Sequence, residues 1–374
     1  MSSGVWLPRE NRSGMKAERT AALAPAVQVV YAQLVSIDMI KDSIKKIVDK
    51  IDLAQDEAYT VMGEIMSGEA TPSQISCLIT ALRMKGETVD EVTGFAKKMR
   101  ENAVKIAPKV DNLMDTCGTG GDFSGTFNIS TVSAIVAAAA GAKVAKHGNR
   151  SASSKCGSAD ILEAIGVKID LPAEKVERSI EEIGIGFIFA PNFHPAMKYA
   201  APSRKEIGIR TIFNILGPLT NPASAKNQLL GVFSEKLTEF MALVLQNLGS
   251  KEVMVVHGMD GIDEISVTDK TKISHLKNGL IKNYSIEPKN FKMNRFAREE
   301  ILGGTVNDNI NITNSILKGE KGPKRDIVLL NSAAALLVSH VANDMNEGIK
   351  LAVEAIDSGN AYNKLEELIK FTNS

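Results

Sequence analysis

The chain has 374 residues, 44% of them hydrophobic, so it can bury a large core and divide into more than one domain. Its 44 basic residues balance its 44 acidic ones, which argues against nucleic acid as a partner. Beyond the first 36 residues no stretch is long and apolar enough to cross a bilayer, so we expect no membrane association. Three cysteines without zinc-ligand spacing favour a reducing compartment, and we predict a cytoplasmic protein.

Residues 1–36 have an unusual composition for the start of a folded domain. Scattered arginines precede an Ala- and Val-rich stretch, and Pro25 interrupts that stretch. We interpret 1–36 as an appended extension that is partly disordered, with a transit or export peptide as the alternative.

A small helical domain is predicted over 37–107. Ile40, Ile44 and Ile47 recur at helical spacing, and Thr71-Pro72 is a typical helix start. No catalytic constellation lies here, so the segment is interpreted as a scaffold. Several short amphipathic helices cannot all bury their apolar faces alone, which makes a subunit interface plausible.

The segment Asp115-Thr-Cys-Gly-Thr-Gly-Gly-Asp122 predicts an anion site. It follows an apolar strand end and precedes a helix that starts near Asn128-Ile-Ser-Thr131. Backbone amides and the positive end of that helix would attract phosphate. The spacing fits neither a P-loop nor the dinucleotide fingerprint. A tight turn without a ligand is the alternative interpretation.

A second polar loop runs from His147 to Ser158, directly after a short strand that ends at Lys146. It holds four serines, Asn149 and Arg150, a composition suited to binding a multiply charged ligand. A flexible surface loop is the alternative. Loops that follow neighbouring parallel strands meet at one sheet edge, so we expect both loops to line one site.

The remaining pattern predicts an α/β fold. Residues 108–192 alternate short apolar strands with helices, which is typical of a mostly parallel central sheet flanked by helices. Residues 195–214 return to helical character around 197–207. Later we expect strands at 229–233 and 253–256, a helix over 235–248, and the last clear helices over 326–339 and 345–358.

Asp263-Glu264 follows the strand at 253–256 and a glycine-containing turn. Adjacent side chains of an extended chain point to opposite sides, so two Mg²⁺ ions, or one ion with its waters, fit better than one symmetrically held ion. A solvated pair of turn carboxylates is the alternative.

Taken together, these motifs resemble the anthranilate phosphoribosyltransferase family. The resemblance includes Lys146-His-Gly-Asn-Arg-Ser151, Arg204-Lys-Glu-Ile-Gly-Ile-Arg-Thr-Ile-Phe-Asn214, Gly217-Pro-Leu-Thr-Asn-Pro222 and His257-Gly-Met-Asp-Gly-Ile-Asp-Glu264, in family order over about residues 37 to 360. It implies a small helical domain over 37–107, joined by 195–214, and a large α/β domain over 108–194 and 215–374.

The resemblance also implies an activity and its ligands. The enzyme would be a pentosyltransferase of tryptophan biosynthesis that transfers the phosphoribosyl group of 5-phosphoribosyl diphosphate to the amine of anthranilate. Mg²⁺, two ions per subunit, would be held by Ser130, Asp263 and Glu264. The implied donor contacts are Gly118, Gly121, Asp122, Thr126, Asn128, Ser130, Thr131, Lys146, Asn149, Arg150, Ser151, Ala152, Ser153, Ser154 and Ser158.

The implied anthranilate contacts are Gly118, His147, Asn149, Arg204 and Pro218. Arg204 would pair with the carboxylate, whereas Lys205 and Arg210 are interpreted as a solvated helix face. No residue is assigned as an acid or base catalyst. His147 is the one candidate for that role, and a structural histidine is the alternative interpretation.

Other assignments depend on the same resemblance. It implies a homodimer formed through the helical domain, and it leaves open a complex with anthranilate synthase. Two other functions stay open from the sequence, a pyrimidine nucleoside phosphorylase and a non-catalytic nucleic-acid-binding relative. The phosphorylase would not need the Asp263-Glu264 pair or Arg204, and the second would show a basic groove.

Overall fold

The computed structural model describes residues 39–151 and 156–374 of the chain. The expected extension over 1–36 lies outside the described residues. So do three of the expected donor contacts, Ala152, Ser153 and Ser154.

Four helices form the N-terminal part: α1 (Met39–Val48), α2 (Gln55–Ser67), α3 (Pro72–Lys85) and α4 (Val89–Glu101). Their starts follow from local chemistry. The Thr71 hydroxyl accepts a hydrogen bond from the Gln74 amide, and the Thr88 hydroxyl accepts one from the Glu91 amide. These caps satisfy amides that no helical carbonyl can reach. The helical character predicted for this part is confirmed.

Seven strands form one sheet in the order β3-β2-β1-β4-β5-β6-β7. They are β1 (Met114–Gly118), β2 (Val144–Gly148), β3 (Ile185–Phe189), β4 (Asn227–Gly231), β5 (Glu252–Gly258), β6 (Thr271–Lys277) and β7 (Leu280–Ile286). The strands from β1 to β5 are parallel, whereas β6 and β7 add an antiparallel hairpin at one edge. The mostly parallel sheet expected from the sequence is confirmed; the hairpin was not expected.

Helices cover both faces of the sheet. They are α5 (Ile129–Ala139), α6 (Ser158–Ile165), α7 (Ala173–Ile183), α8 (Ala190–Phe193), α9 (Ala201–Ile207), α10 (Phe213–Leu216), α11 (Leu237–Asn247), α12 (Val306–Leu317), α13 (Pro323–Val338), α14 (Met345–Asp357) and α15 (Asn360–Asn373). Among the described residues, no helix is long and apolar enough to cross a membrane.

The helical character expected around 197–207 is confirmed, but it is divided into a 3-10 turn, Pro195–Tyr199, and the separate helix α9. Pro202 falls at the start of α9, where the missing amide of proline costs nothing. The expectation that the last clear helix ends near residue 358 was wrong. The chain continues past α14 into α15, which buries Leu365 and Leu368 against the sheet-facing helices.

The sheet joins two apolar clusters because neighbouring strand residues point to opposite faces. Along β5, Met254 and Val256 pack with α5, α13, α14 and α15, whereas Val253 and Val255 pack with α11 and with the N-terminal helices. The segment around α9 and α10 also contacts the N-terminal helices, and the Ser203 hydroxyl donates to the carbonyl of Pro72. The N-terminal helices therefore sit beside the carboxyl-terminal half of the chain.

Candidate active site

The carboxyl ends of the parallel strands meet at one edge of the sheet. Gly118 of β1 pairs with Gly231 of β4, and β2 ends beside them at Gly148. The glycine-rich loop follows β1, the serine-rich loop follows β2, and the loop with Asp263 and Glu264 follows β5. The sequence motifs thus converge at this edge, where α/β folds bind their ligands.

Two glycines allow the Asp263 loop to approach the strand ends closely. A side chain at Gly118 would overlap the Asp263 carboxylate, and one at Gly231 would overlap the Asp263 carbonyl. The Asp263 carboxylate accepts a hydrogen bond from the Gly120 amide at 2.9 Å. The Asp263 amide donates to the carboxylate of Asp122 at 3.4 Å. The glycine-rich loop and the carboxylate loop therefore form one structure.

The carboxylates of Asp263 and Glu264 repel one another. Burial and the nearby charge of Asp122 raise the pKa of Asp263, and burial and Asp263 raise the pKa of Glu264. No Lys, Arg or His within the described ranges forms an ion pair with either carboxylate. Lys146 acts on Glu264 from nearby without forming an ion pair with it, so the charge of the two half-buried carboxylates is only partly compensated and is suited to a bound cation.

The surroundings of this pair fit Mg²⁺. The ion usually takes one or two carboxylates and completes its shell with water and phosphate oxygens. The described residues contain no group of three or more His, Cys, Asp or Glu arranged around a metal position, so an all-protein cage is not formed there. The Ser130 backbone reaches the Glu264 carboxylate, which places Ser130 next to the pair.

Lys146 connects β2 to the start of α5. Its buried ammonium donates to the carbonyl of Thr116 at 2.7 Å and lies 3.3 Å from the Ser130 hydroxyl. Burial lowers the pKa of Lys146, while the carboxylates of Asp115 and Glu264 oppose that shift. The ammonium is a fixed positive charge next to the expected metal and phosphate positions.

The start of α5 supplies further polar groups. The hydroxyl of Thr131 is buried and has no hydrogen-bond partner. The backbone amide of Asn128 donates to the side chain of Asn309, and the Thr126 hydroxyl contacts that of Ser124. The unpartnered Thr131 hydroxyl at a positive helix end is suited to an anionic oxygen.

Asp160 of α6 holds the polar loop that follows β2 through hydrogen bonds to its backbone amides. Its carboxylate accepts the amides of Ser151 and Gly157, at 3.0 and 2.9 Å. The Ser158 hydroxyl donates to the carbonyl of Asn149 at 3.3 Å. Arg150 is exposed and pairs with Asp160 and with Glu163, so its charge is already compensated by protein carboxylates.

His147 and His194 form a buried pair whose ring centres lie 5.2 Å apart. Burial lowers the pKa of His147 to about 3 and that of His194 to about 4, so both rings are neutral near pH 7. The Nε2 atom of each ring is buried without a partner. A neutral imidazole with a free nitrogen can hydrogen-bond a substrate but carries no charge for it.

The expected acceptor residues lie on the segment that follows His194. Arg204 lies on α9, half-buried, with its guanidinium 5.1 Å from the ring centre of Phe213. Burial lowers its pKa. Pro218 is buried in a 3-10 turn, Gly217–Leu219.

The interpretation of Arg210 as part of a solvated helix face was wrong. Arg210 lies after the end of α9, and its guanidinium is held between the rings of Phe123 and Phe233. Lys205, by contrast, is exposed on α9 as expected. Neither aromatic residue is close to Arg210 in the sequence, so local spacing could not reveal the contact.

Sequence reasoning also missed a buried connection between Asp115 and Asn221. The Asn221 amide donates to the Asp115 carboxylate and to the carbonyl of Ala145, both at 2.8 Å. The same carboxylate accepts the His147 amide at 3.1 Å, and burial raises the pKa of Asp115 to about 6. Both residues lie within the motifs quoted above, and this was the sequence signal that could have pointed to them. The connection joins β1, β2 and the turn that carries Pro218.

Comparison with known families gives two matches. The model of the helical bundle domain of a glycosyl transferase family matches residues 41–103, and the model of the a/b domain of that family matches 110–362. An anthranilate phosphoribosyltransferase of Acetivibrio thermocellus is 57% identical over 90% of this chain and 97% of its own length. One of Methanobrevibacter smithii is 53% identical over 90% of this chain and all of its own length.

Comparison with solved structures agrees with these sequence matches. The anthranilate phosphoribosyltransferase of Thermus thermophilus is 42% identical, with a TM-score of 0.84 over 89% of this chain and 100% of its own. The Saccharomyces cerevisiae enzyme, solved in complex with PRPP and Mg, is 28% identical, with a TM-score of 0.83 over 90% and 99% of the two chains. Another structure of the yeast enzyme contains 4-fluoroanthranilate. By sequence, domain content and fold, the chain belongs to the anthranilate phosphoribosyltransferase family.

Proposed function

We propose that this protein transfers the phosphoribosyl group of 5-phosphoribosyl diphosphate to the amine of anthranilate. The amine nitrogen forms a bond to C1 of the ribose, the C1–O bond breaks, and diphosphate leaves with the electron pair. After loss of the amine proton, the products are N-(5-phosphoribosyl)anthranilate and diphosphate. In this scheme the enzyme acts in tryptophan biosynthesis.

One observation carries the proposal: the glycine-rich loop, Lys146 and the Asp263–Glu264 pair converge at one sheet edge. A nucleoside phosphorylase, which binds inorganic phosphate, has no need of the Asp263–Glu264 pair or of Arg204. A nucleic-acid-binding relative would need a basic groove, whereas the net charge of this chain is zero. Relatives with PRPP and Mg, and with an anthranilate analogue, support the same choice.

The donor would occupy the edge of the sheet. We assign its diphosphate to the amides of Gly118 and Gly121 and to the hydroxyls of Thr126, Ser130 and Thr131, with Asp122 and Asn128 beside them. Lys146 and the 149–154 loop with Ser158 would hold the remaining phosphate oxygens. Because Arg150 is paired with Glu163, its side chain would have to exchange partners to bind donor.

Ser130, Asp263 and Glu264 would hold Mg²⁺, and we propose two ions per subunit. Bound there, the metal would neutralise the charge that develops on the leaving diphosphate. The protein's own contribution is to keep two carboxylates and the Lys146 ammonium in fixed positions, which costs no reorganisation during the reaction.

The acceptor would lie between β2 and the α9 segment. Arg204 would pair with the anthranilate carboxylate, Asn149 and Gly118 would contact its polar edge, and Pro218 would form an apolar wall. The neutral His147 ring offers its Nε2 as an acceptor for an amine hydrogen. An aromatic amine needs no strong base, since its nitrogen already carries a free electron pair at pH 7.

Assembly and location follow from the same proposal. We propose a homodimer formed through the helical domain over 37–107 with 195–214, packed beside an α/β domain over 108–194 and 215–374. We also propose a cytoplasmic location and keep open an association with anthranilate synthase, which supplies the acceptor.

The test uses the full chain with anthranilate, 5-phosphoribosyl diphosphate and Mg²⁺, followed by the loss of anthranilate fluorescence. Arg204→Ala should raise the KM for anthranilate by roughly 10- to 100-fold, as expected for the loss of a charge-assisted hydrogen-bonded pair. Lys205→Ala, the exposed neighbour on α9, is the matched control and should leave KM unchanged. No turnover by a folded wild-type protein would refute the proposal.

A further inference from the structure

Arg210 links two parts of the molecule that are distant in sequence. It lies on the segment between α9 and α10, and its guanidinium carbon is 4.9 Å from the ring centre of Phe123 and 4.4 Å from that of Phe233. Phe123 belongs to the glycine-rich loop, and Phe233 follows β4. The guanidinium therefore bridges the α9–α10 segment, which follows the expected acceptor residue Arg204, and the expected donor loop.

The glycine-rich loop is shaped around this guanidinium. A side chain at Gly121 would overlap the Arg210 guanidinium, so the two groups are in direct contact. Phe123 has a φ of 53°, in the left-handed region that bulky residues rarely adopt, and its side chain is 77% exposed. Such a backbone conformation persists where neighbouring groups hold it, and the stack with Arg210 is suited to do so.

The Arg210 contact differs from that of an arginine that serves stability alone. The Arg210 Nη2 atom is buried without a hydrogen-bond partner. The buried guanidinium of Arg325, on α13, instead donates to the Gly319 carbonyl at 3.0 Å and pairs with Asp357 at 2.6 Å. An unpaired buried donor weakens a fold, so its presence at the glycine-rich loop indicates a role in binding.

We propose that Arg210 is a positioning residue of the donor site, which holds the loop Gly118–Gly125 by stacking between Phe123 and Phe233. In this position the loop amides face the diphosphate of the donor. This inference deepens the proposed function and rests on it for the identity of the donor. We expect the shape of the guanidinium to matter more than its charge, because its planar face can stack on an aromatic ring, whereas a lysine ammonium is a point charge on a flexible stem.

The test compares Arg210→Ala and Arg210→Lys with the wild-type protein. Both variants should raise the KM for 5-phosphoribosyl diphosphate by roughly 5- to 30-fold, the range that a lost cation–π contact allows. The KM for anthranilate should change less than about twofold, because Gly118, the proposed acceptor contact in this loop, is fixed by strand β1 and the other proposed acceptor contacts lie outside the loop. Hydrogen exchange of the amides in 118–125 should become faster in both variants without any ligand.

Two further variants complete the design. Arg178→Ala is the matched control, because Arg178 also lies over a phenylalanine, Phe371, but far along the chain from the loop. It should behave as wild type. Phe123→Leu removes the stack from the exposed side, so it tests the idea even where Arg210→Ala folds poorly; it should reproduce the faster exchange and the raised KM.

The outcomes separate the two proposals. Wild-type exchange rates and KM in Arg210→Lys would show that charge suffices, and would overturn positioning by stacking. Equal increases in both KM values, or an unaffected Phe123→Leu, would do the same. If the wild-type protein did not convert anthranilate, the proposed function would fail, while loop exchange and calorimetric binding of 5-phosphoribosyl diphosphate would still decide the role of Arg210.

Discussion

Carboxylates lie at both ends of strand β5, in opposite electrostatic environments. At its start, buried Glu252 contacts Lys277 at 2.9 Å, His275 at 3.1 Å and His340 at 3.5 Å. Beyond its end, Asp263 and Glu264 have each other and Asp122 as negative neighbours, Lys146 acts on Glu264 without forming an ion pair, and the pKa values of both carboxyls are raised. The carboxylate at the start of the strand is paired directly, whereas the charge of the carboxylates beyond its end is compensated only in part.

This difference separates stability from binding. A buried carboxylate held by a lysine and two histidines contributes to the folded state, and removing it leaves those partners unpaired. Carboxylates held close together without a cation oppose folding, and they persist where a ligand supplies the missing charge. The amino-terminal edge of the sheet is therefore built for stability, and the carboxyl-terminal edge for binding.

The largest effect is expected for Asp263→Asn. The turnover rate with Mg²⁺ should fall by roughly 100- to 1,000-fold, because one source of leaving-group stabilisation is lost. The free energy of unfolding without Mg²⁺ should stay level or rise, because repulsion with Glu264 and Asp122 decreases. Fluorescence assays and urea unfolding measure the two quantities.

Asp269→Asn is the matched control for this prediction. Asp269 lies in the same loop and pairs with Arg295 at the surface, so neither activity nor stability should change much. An Asp263→Asn protein that lost stability but kept its rate would contradict the proposed contrast between the ends of β5.

Acid should destabilise the protein through His147 and His194. Their folded pKa values, about 3 and about 4, lie below the unfolded value of 6.5, so the unfolded chain binds more protons below pH 6.5. The two histidines should therefore lower the free energy of unfolding by roughly 3 kcal/mol between pH 6.5 and pH 5. Asp115 and Asp263, whose folded pKa values are raised to about 6 and about 7, bind protons in the folded state over the same range and oppose this loss. Urea unfolding across this range measures the slope.

His147→Asn tests the contribution of the two histidines and should remove about half of that contribution. His275, beside Glu252, has a pKa lowered by burial and opposed by the carboxylate, so it adds in the same direction. A pH dependence of stability that is the same in His147→Asn and in the wild-type protein would show that His147 accepts a proton in the folded state.

Glu252→Gln should give the smallest of these effects. We expect a loss of about 1–3 kcal/mol in the free energy of unfolding, because a buried charge with three partners becomes neutral. The turnover rate should stay within about twofold, since the residue lies at the opposite end of β5 from the site.

Lys277→Met tests the same contact from the other side and should have a smaller effect on stability. The Lys277 side chain is 46% exposed, so solvent screens its pairing with Glu252 and the loss should be under about 1 kcal/mol. If Glu252→Gln were neutral for stability but impaired turnover, the division between the two sheet edges would have to be abandoned.

The hydrophobic pattern of the sequence predicted several of the buried, regular helices and strands. The strand expected at 253–256 lies within β5, and the helix expected over 345–358 corresponds to α14. The hairpin of β6 and β7 was missed because β7 is mostly exposed and shows little apolar alternation. The final helix, α15, was missed although its buried leucines match the helical period.

The amino-acid sequence by itself determined the local chemistry: which loops can bind anions, where threonine caps start helices, and which family motifs appear in which order. Only the tertiary structure decided which charges meet. Arg210 lies between Phe123 and Phe233, Asn221 reaches Asp115, and Lys146 reaches Ser130 because the strand order brings them together. Such contacts join residues far apart along the chain, and short-range periodicity carries no information about strand order.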